Sequence, residues 1–299
     1  MIRFEAFCKS YGEHVAARDV TLAVGAGEVV ALIGPNGSGK TTTLKAAAGL
    51  IHPTSGSVRV GEPPRPASEP AARAVLSFLP QKVSFPEALT GHEVVEFYRR
   101  LRGGRPDRSL EVLKLASLNG AAKRTVGTYS GGMVQRLGLA VATLPDAPVL
   151  LLDEPTAALD PDGLTAFYGL VERRRAEGKA VLFTSHHLGD AERLADRFAV
   201  LVEGRLVATL TAGEMADRLA RRGLMRLRLP GRPPGVLERV LPIAPEARWA
   251  GEELVAPGPA HDRPAILDAV RQAGAEIRGL TAEEGRLDEL YRELVGGKP

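Results

Sequence analysis

Val29-Val-Ala-Leu-Ile33 followed by Gly34-Pro35-Asn36-Gly37-Ser38-Gly39-Lys40-Thr41 is the stretch that decides the fold. Five β-favouring apolar residues run into a glycine-rich segment of the form G-x-x-x-x-G-K-[ST], and a helix-forming run follows. A strand, a phosphate-binding loop and a helix in that order predict a parallel sheet with phosphate chemistry at its edge. Glycines without Cβ atoms let backbone N–H groups wrap phosphate oxygens, and the helix N-terminus adds a positive field. Lys40 is expected to neutralise the outer phosphates. The Thr41 hydroxyl is a hard oxygen suited to Mg²⁺, and Thr42 is placed to add a phosphate hydrogen bond. Alone, the motif predicts only a nucleotide binder.

A second cluster completes the chemistry. Val149-Leu-Leu-Leu-Asp153-Glu154-Pro155 is an apolar strand ending in two acids, at the strand edge where α/β proteins bind ligands. Asp153 is expected to accept Mg²⁺ or its waters. Glu154 is expected to act as the general base that polarises a water attacking a γ-phosphate.

Working outward, Thr90 and Glu93 predict a capping box, and Val94, Phe97, Tyr98 and Leu101 recur at helical spacing within a helical insert from Leu89 to about Thr128. Met133, Leu137, Ala140, Val141 and Leu144 form a further helical stripe, and Ala180-Val-Leu-Phe183 supplies another strand. The alternation predicts an α/β core, with the residues up to about 80 read as short strands and turns. Beyond about Glu214, Pro230, Pro233, Pro234, Pro242 and Pro245 interrupt the chain. A small α+β domain is expected there, with Met225-Arg-Leu-Arg-Leu229 as a strand and Ile266, Leu267 and Val270 on a helical face. No internal repeat is visible, so one chain holds one nucleotide cassette.

Composition narrows the class. The 299 residues, 44% hydrophobic, suffice for one large domain and a smaller one. Lys and Arg number 39 against 36 acids, a net charge of +3 that reads as a solvated surface and not as a nucleic-acid partner. Cys8 is the single cysteine, expected to be a buried, small apolar residue, so no internal disulfide or cysteine metal cluster is possible. The longest apolar runs have strand length, and the N-terminus lacks the features of a signal peptide, so a cytoplasmic location is expected.

Between the two nucleotide motifs lies Tyr129-Ser130-Gly131-Gly132-Met133. A serine and two glycines at a helix start offer a hydroxyl, backbone N–H groups and a helix dipole, a second phosphate cradle. This stretch resembles the signature of ABC transporter ATPases, with Tyr129 and Met133 where Leu and Gln are usual. The resemblance spans about residues 1–215 and implies an ABC cassette of the P-loop NTPase class, with a helical lobe over about 82–145 that meets a membrane permease; the small domain read from composition then occupies 216–299. It implies a head-to-tail dimer of two copies enclosing ATP between the loop of one and Ser130, Gly131 and Gly132 of the other. It further implies Tyr11 as the aromatic stacked on adenine, Gln81 as a contact to Mg²⁺ and the permease, Asp160 within Ala158-Leu159-Asp160 as part of a communicating segment, and His186 as the γ-phosphate histidine.

A finer resemblance joins Leu79-Pro-Gln-Lys-Val-Ser-Phe-Pro-Glu-Ala-Leu-Thr-Gly91, Thr128-Tyr-Ser-Gly-Gly-Met133 with Gln135-Arg-Leu-Gly-Leu-Ala140, and the terminal segment from Gly285 to Leu294 to the ATPase of the transporter that matures the copper enzyme nitrous-oxide reductase. It implies a periplasmic maturation partner, with a drug or small-molecule exporter as the alternative. A P-loop kinase or switch GTPase leaves Ser130-Gly131-Gly132 unexplained. A soluble ABC ATPase acting on ribosomes or DNA would carry paired cassettes or a long coiled-coil insert.

Overall fold

The computed structural model describes residues 1–185, 188–221, 223–283, 285, 290–291 and 294. Two units divide the chain, Met1–Thr209 and Leu210–Pro299.

The first unit opens with long antiparallel strands β1 (Ile2–Tyr11) and β2 (His14–Val24), then β3 (Val29–Ile33) and α1 (Lys40–Ala47). After these come β4 (Ser55–Val60), β5 (Arg65–Pro66), α2 (Pro70–Ala74) and β6 (Leu76–Leu79). Three helices follow, α3 (Gly91–Arg102), α4 (Arg108–Leu115) and α5 (Gly131–Thr143). The unit closes with β7 (Val149–Leu152), α6 (Pro161–Ala176), β8 (Ala180–Ser185), α7 (Leu188–Leu194), β9 (Arg197–Val202) and β10 (Arg205–Thr211). The strands near the N-terminus are longer than the short strands and turns expected, because β1 continues through a bulge at Ala6, whose φ is 48°.

Two sheets build this unit. One has the order β2-β1-β4-β5, and the other β10-β9-β3-β8-β7-β6. In the second, β3 pairs in parallel with β8 and β9, and β7 with β8 and β6. Burial of β3, β7 and β8 along their whole lengths explains their unbroken apolar runs. Phe4, Phe7, Leu22, Leu44, Val60, Leu151 and Leu182 share one core, so α1 is held between the sheets. On α6, Phe167 packs edge-on against Phe183 of β8 with centroids 6.5 Å apart.

The three helices between β6 and β7 share a separate core of Val94, Val95, Val112, Leu113, Leu137 and Ala140. Thr90 and Glu93 form the predicted capping box: the Thr90 hydroxyl accepts from Glu93 N at 3.2 Å and Glu93 Oε2 accepts from Thr90 N at 2.7 Å. The expected stripe is met in part, by Val94 and Tyr98 and not by Phe97 and Leu101. Gly91, Val94 and Val95 are buried and Tyr98 packs on them, whereas Phe97 is 58% and Leu101 68% exposed. Both apolar sets fit helical spacing, and the neighbours α4 and α5 select the one that turns inward. Replacing Thr90 by Ala should remove about 1 kcal/mol of local stability. Faster amide exchange confined to the first turn of α3 is the expected readout, and unchanged protection there would count against it.

The second unit contains α8 (Ala212–Ala220), β11 (Leu224–Arg228), α9 (Val236–Val240), β12 (Arg248–Ala250), β13 (Glu253–Pro257), α10 (Arg263–Gln272) and β14 (Gly279–Glu283). Its antiparallel sheet has the order β12-β13-β11-β14. Met225, Leu227 and Leu229 alternate inward and meet Val236, Val240, Ile266 and Val270 from the helices, an α+β arrangement. Among the described residues no helix is long and apolar enough to cross a membrane.

Candidate nucleotide site

Strand order brings the two sequence clusters together. β3 ends at the glycine-rich loop and β7 ends at Asp153, with only β8 between them. The two strands therefore lie roughly 10 Å apart, a gap that short side chains at the strand ends can bridge.

Thr184, the residue before the end of β8, makes that bridge. Its hydroxyl donates to Asp153 Oδ1 at 2.7 Å and accepts from Glu154 N at 2.8 Å. Thr41 Oγ1, from the first turn of α1, donates to the same Asp153 oxygen at 3.2 Å. Lys40 Nζ donates to Gly34 O at 2.8 Å and Pro35 O at 3.0 Å. Gln81 Nε2 donates to Glu154 Oε2 at 2.8 Å. Six residues from four segments, Lys40 and Thr41, Gln81, Asp153 and Glu154, and Thr184, thus converge at one sheet edge.

Electrostatics are governed by burial. Asp153 is 1% exposed, and loss of water pushes its carboxyl above the usual carboxylate range against the opposing hydrogen bonds from Thr184 and Thr41. Burial likewise lowers the Lys40 ammonium, opposed by Glu154 and Asp153. Both groups are therefore short of countercharge, a condition that a cation beside Asp153 and anionic phosphates beside Lys40 relieve. Ser38 Oγ, also in the loop, is buried with no hydrogen-bond partner among the described residues. Glu154 has φ 46°, an unfavourable region for a residue with a side chain, and the bond from its N–H to Thr184 helps hold it there.

The loop glycines are required by space as well as by phosphate approach. A Cβ on Gly34 would lie 2.0 Å from Leu201 O, and one on Gly39 would lie 2.2 Å from Ala16 O. Gly39 also has φ 97°. Replacing Gly39 by Ala should therefore weaken nucleotide binding by more than about tenfold, since the left-handed strain alone is about 1–2 kcal/mol. Titration with a fluorescent ATP analogue reads this directly; wild-type affinity would show that the loop tolerates the Cβ.

Ser130 caps α5, its hydroxyl accepting from Met133 N at 3.3 Å. Gly131 has nothing within 4 Å of an added Cβ, whereas one on Gly132 would meet Ala158 O at 2.8 Å. Gln135 Nε2 lies 3.5 Å from Pro155 O, and Arg136 Nη2 donates to Asp160 Oδ2 at 3.3 Å. Asp160 in turn caps α6, Oδ1 accepting from Gly163 N at 2.9 Å. Within one chain the signature segment is thus joined to the turn after Glu154, and not to the phosphate loop. The first signature position, Tyr129, turns into its own lobe: its hydroxyl donates to Ala121 O at 2.8 Å and lies against Gly91.

Tyr11 is 48% exposed at the end of β1, with Lys9 Nζ 5.0 Å from its ring centroid. Pro35, Asn36 and Gly37 are exposed along the loop, and Thr42 is half-buried in α1. His186 lies outside the described residues, as does most of the terminal segment from Gly285 to Leu294. Cys8 is only half-buried, its sulfur accepting from Asp19 N at 3.2 Å, because the bulge turns it away from the core expected for it.

Two of these residues lay beyond the sequence reading. Thr184 is recognisable only once Phe183 is known to pair with Leu152 across the parallel ladder, which sets Thr184 beside Asp153. Arg136 carries no local signal for its pairing with Asp160, 24 residues away.

Comparison with known proteins agrees with this geometry. A family model described as ABC transporter matches residues 17–157. The "Uncharacterized ABC transporter ATP-binding protein YxlF" of Bacillus subtilis is 40% identical over 211 residues, 69% of this chain and 69% of that protein. The "Daunorubicin resistance ATP-binding protein DrrA3" of Streptomyces coeruleorubidus is 33% identical over 297 residues, 96% of this chain and 93% of that protein. Among solved structures, a dimeric ATP-binding cassette in a post-hydrolysis state, bound to ADP and Pi, matches with a TM-score of 0.65. It is 28% identical and covers 71% of this chain and 99% of that one.

Proposed function

The chain belongs to the ABC transporter family as an ATP-binding, ATP-hydrolysing subunit, and on that premise we propose that it is the cytoplasmic motor of a small-molecule exporter, working as a pair of copies beneath a separate membrane permease. The observation that carries the catalytic part is the hydrogen-bonded union of Thr41, Asp153, Thr184, Glu154 and Gln81 beside Lys40.

In this reading the backbone N–H groups of residues 36–41 and the Lys40 ammonium hold the β- and γ-phosphates, with Thr42 adding a hydroxyl. Thr41, Asp153 and Gln81 are the residues that would hold Mg²⁺; the Thr41 hydroxyl 3.2 Å from the buried Asp153 carboxylate is a pair of hard oxygen donors that fits such a cation. Bound there, Mg²⁺ supplies neutralisation of phosphate charge. Glu154 accepts a proton from the attacking water while the water oxygen bonds to the γ-phosphorus and the bridging oxygen departs with ADP. Gln81 orients Glu154, Tyr11 stacks on adenine, and His186 contacts the γ-phosphate.

Ser130, Gly131 and Gly132 serve the nucleotide held by the other copy, which explains why they lie away from their own loop. Asp160 and Arg136 carry the state of one site toward the signature helix. ATP closes the pair, closure moves the permease, and hydrolysis reopens it. The exposed Phe97 and Leu101 on α3 are an apolar surface of the kind a permease covers.

Export is favoured over maturation of a copper enzyme because the daunorubicin resistance relative matches nearly the whole chain. The maturation reading, with its periplasmic partner, rests on the resemblance of residues 79–91, 128–133, 135–140 and 285–294. Capture of Glu154→Gln with Mg-ATP from detergent-solubilised native membranes tests the assignment. A multispanning permease alone is the expected companion; a periplasmic copper-maturation protein beside it would restore the alternative, and no membrane protein would refute the motor reading.

A further inference from the structure

The charge that looks evenly scattered along the sequence is concentrated at one place. Residues 99–108 contain five arginines around Gly103-Gly104. This turn between α3 and α4 faces the last turn of α6 across a cleft of about 670 Å³. Arg99, Arg102, Arg105 and Arg108 line one side, and Arg173 and Arg174 the other. Opposing them in the lining are three carboxylates, Glu111, Asp146 and Glu177.

The arginines divide into anchored and available groups. Arg108 and Arg174 both donate to Thr143 O, at 2.9 and 3.1 Å, so two guanidinium groups meet at one carbonyl at the end of α5. Arg108 also pairs with Glu111 and Arg174 with Asp146, each at 2.7 Å, while Arg99 is held by Glu96 and Gly104 O. Arg108 Nε nevertheless remains buried without an acceptor among the described residues. The Arg105 side chain has, among the described residues, a solvent-exposed contact of 3.5 Å with Asp107. Arg102 and Arg173 are exposed, and neither side chain has an ion-pair or hydrogen-bond partner among the described residues. Such a set places a rigid, ion-paired floor beneath three exposed guanidinium groups, Arg102, Arg105 and Arg173, that can close on an anion.

The cleft is separate from the nucleotide site. Its lining includes Ala74, Ala147 and Glu177, which precede β6, β7 and β8. It therefore sits at the N-terminal edge of the strands whose C-terminal edge holds Asp153, at least one strand length, about 13 Å, away. No aromatic ring is among the described residues that line it, so a base or apolar group has no stacking surface there.

We propose that this cleft is a binding site for a small polyanion bearing two or more phosphoryl groups. Guanidinium forks from two facing helical segments match adjacent phosphoryl groups, and the volume suits a compact ligand. The phosphoryl groups belong either to a soluble polyphosphate or to an anionic lipid headgroup.

The full chain, with its nucleotide loop saturated by ADP, is titrated calorimetrically with inorganic tripolyphosphate. In parallel it is sedimented with cardiolipin or phosphatidylcholine vesicles, cardiolipin carrying two phosphoryl groups in one headgroup. The comparison protein carries Arg102→Ala, Arg105→Ala and Arg173→Ala together; basal ATP turnover monitors its folding, and Arg173→Glu alone is the second variant. One-to-one tripolyphosphate binding that weakens at least about tenfold in the triple variant establishes the site with a soluble ligand. Sedimentation with cardiolipin vesicles alone, lost in the same variant, establishes it with a lipid headgroup. Binding of neither probe, or binding equal in wild type and both variants, overturns the proposal.

Discussion

Glu154→Gln should lower ATP turnover by about 10²–10⁴-fold while leaving ATP affinity close to wild type, because the substitution removes the proton acceptor and almost nothing else. Gln is nearly isosteric with Glu, and the bond from Glu154 N to Thr184 Oγ1 is a backbone contact that survives the change. The phosphate grip of Lys40 and the loop lies on a different strand and is untouched. The measurement is steady-state phosphate release alongside equilibrium binding of a fluorescent ATP analogue. Wild-type turnover would remove Glu154 from the catalytic role, and equal loss of binding would mean that the carboxylate instead supports the fold of the site.

Ser130→Arg should abolish cooperative ATP turnover without preventing one chain from binding nucleotide. Ser130 is exposed at the start of α5, and the adjacent Gly131 leaves open space above the helix end. A guanidinium-bearing side chain there fills the space that a second copy's phosphates would occupy. Loss of the cap costs only about 1 kcal/mol, so the helix persists. Turnover falling to the level of an isolated chain, with unchanged nucleotide affinity, is the expected pair of results. Unaltered turnover would contradict the use of this helix start as a second phosphate cradle.

How much was legible beforehand follows from how local each feature is. The loop from Gly34 to Thr41 declares itself because its spacing, its strand and its helix are contiguous. Asp153 and Glu154 are marked by the apolar run they end, and the capping box of Thr90 and Glu93 by a spacing of three. Thr184 needed the register of β8 on β7, a pairing between residues far apart in sequence. The face of α3 was misjudged because Phe97 and Leu101 fit the same helical period as Val94 and Tyr98, and only the packing of α4 and α5 decides between them. The arginine cleft was invisible for the same reason: Arg173 and Arg174 reach the turn at residues 99–108 only through the fold. Similarly, Tyr129 at the head of the signature packs within its own lobe instead of facing out.

The most direct test of a two-copy motor is the mass in solution of Glu154→Gln, measured by light scattering with and without Mg-ATP. ATP-dependent doubling of the mass, reversed when Ser130→Arg is added to the same chain, is the predicted result. A mass that stays monomeric with ATP bound, or a dimer indifferent to the Ser130 substitution, would contradict it.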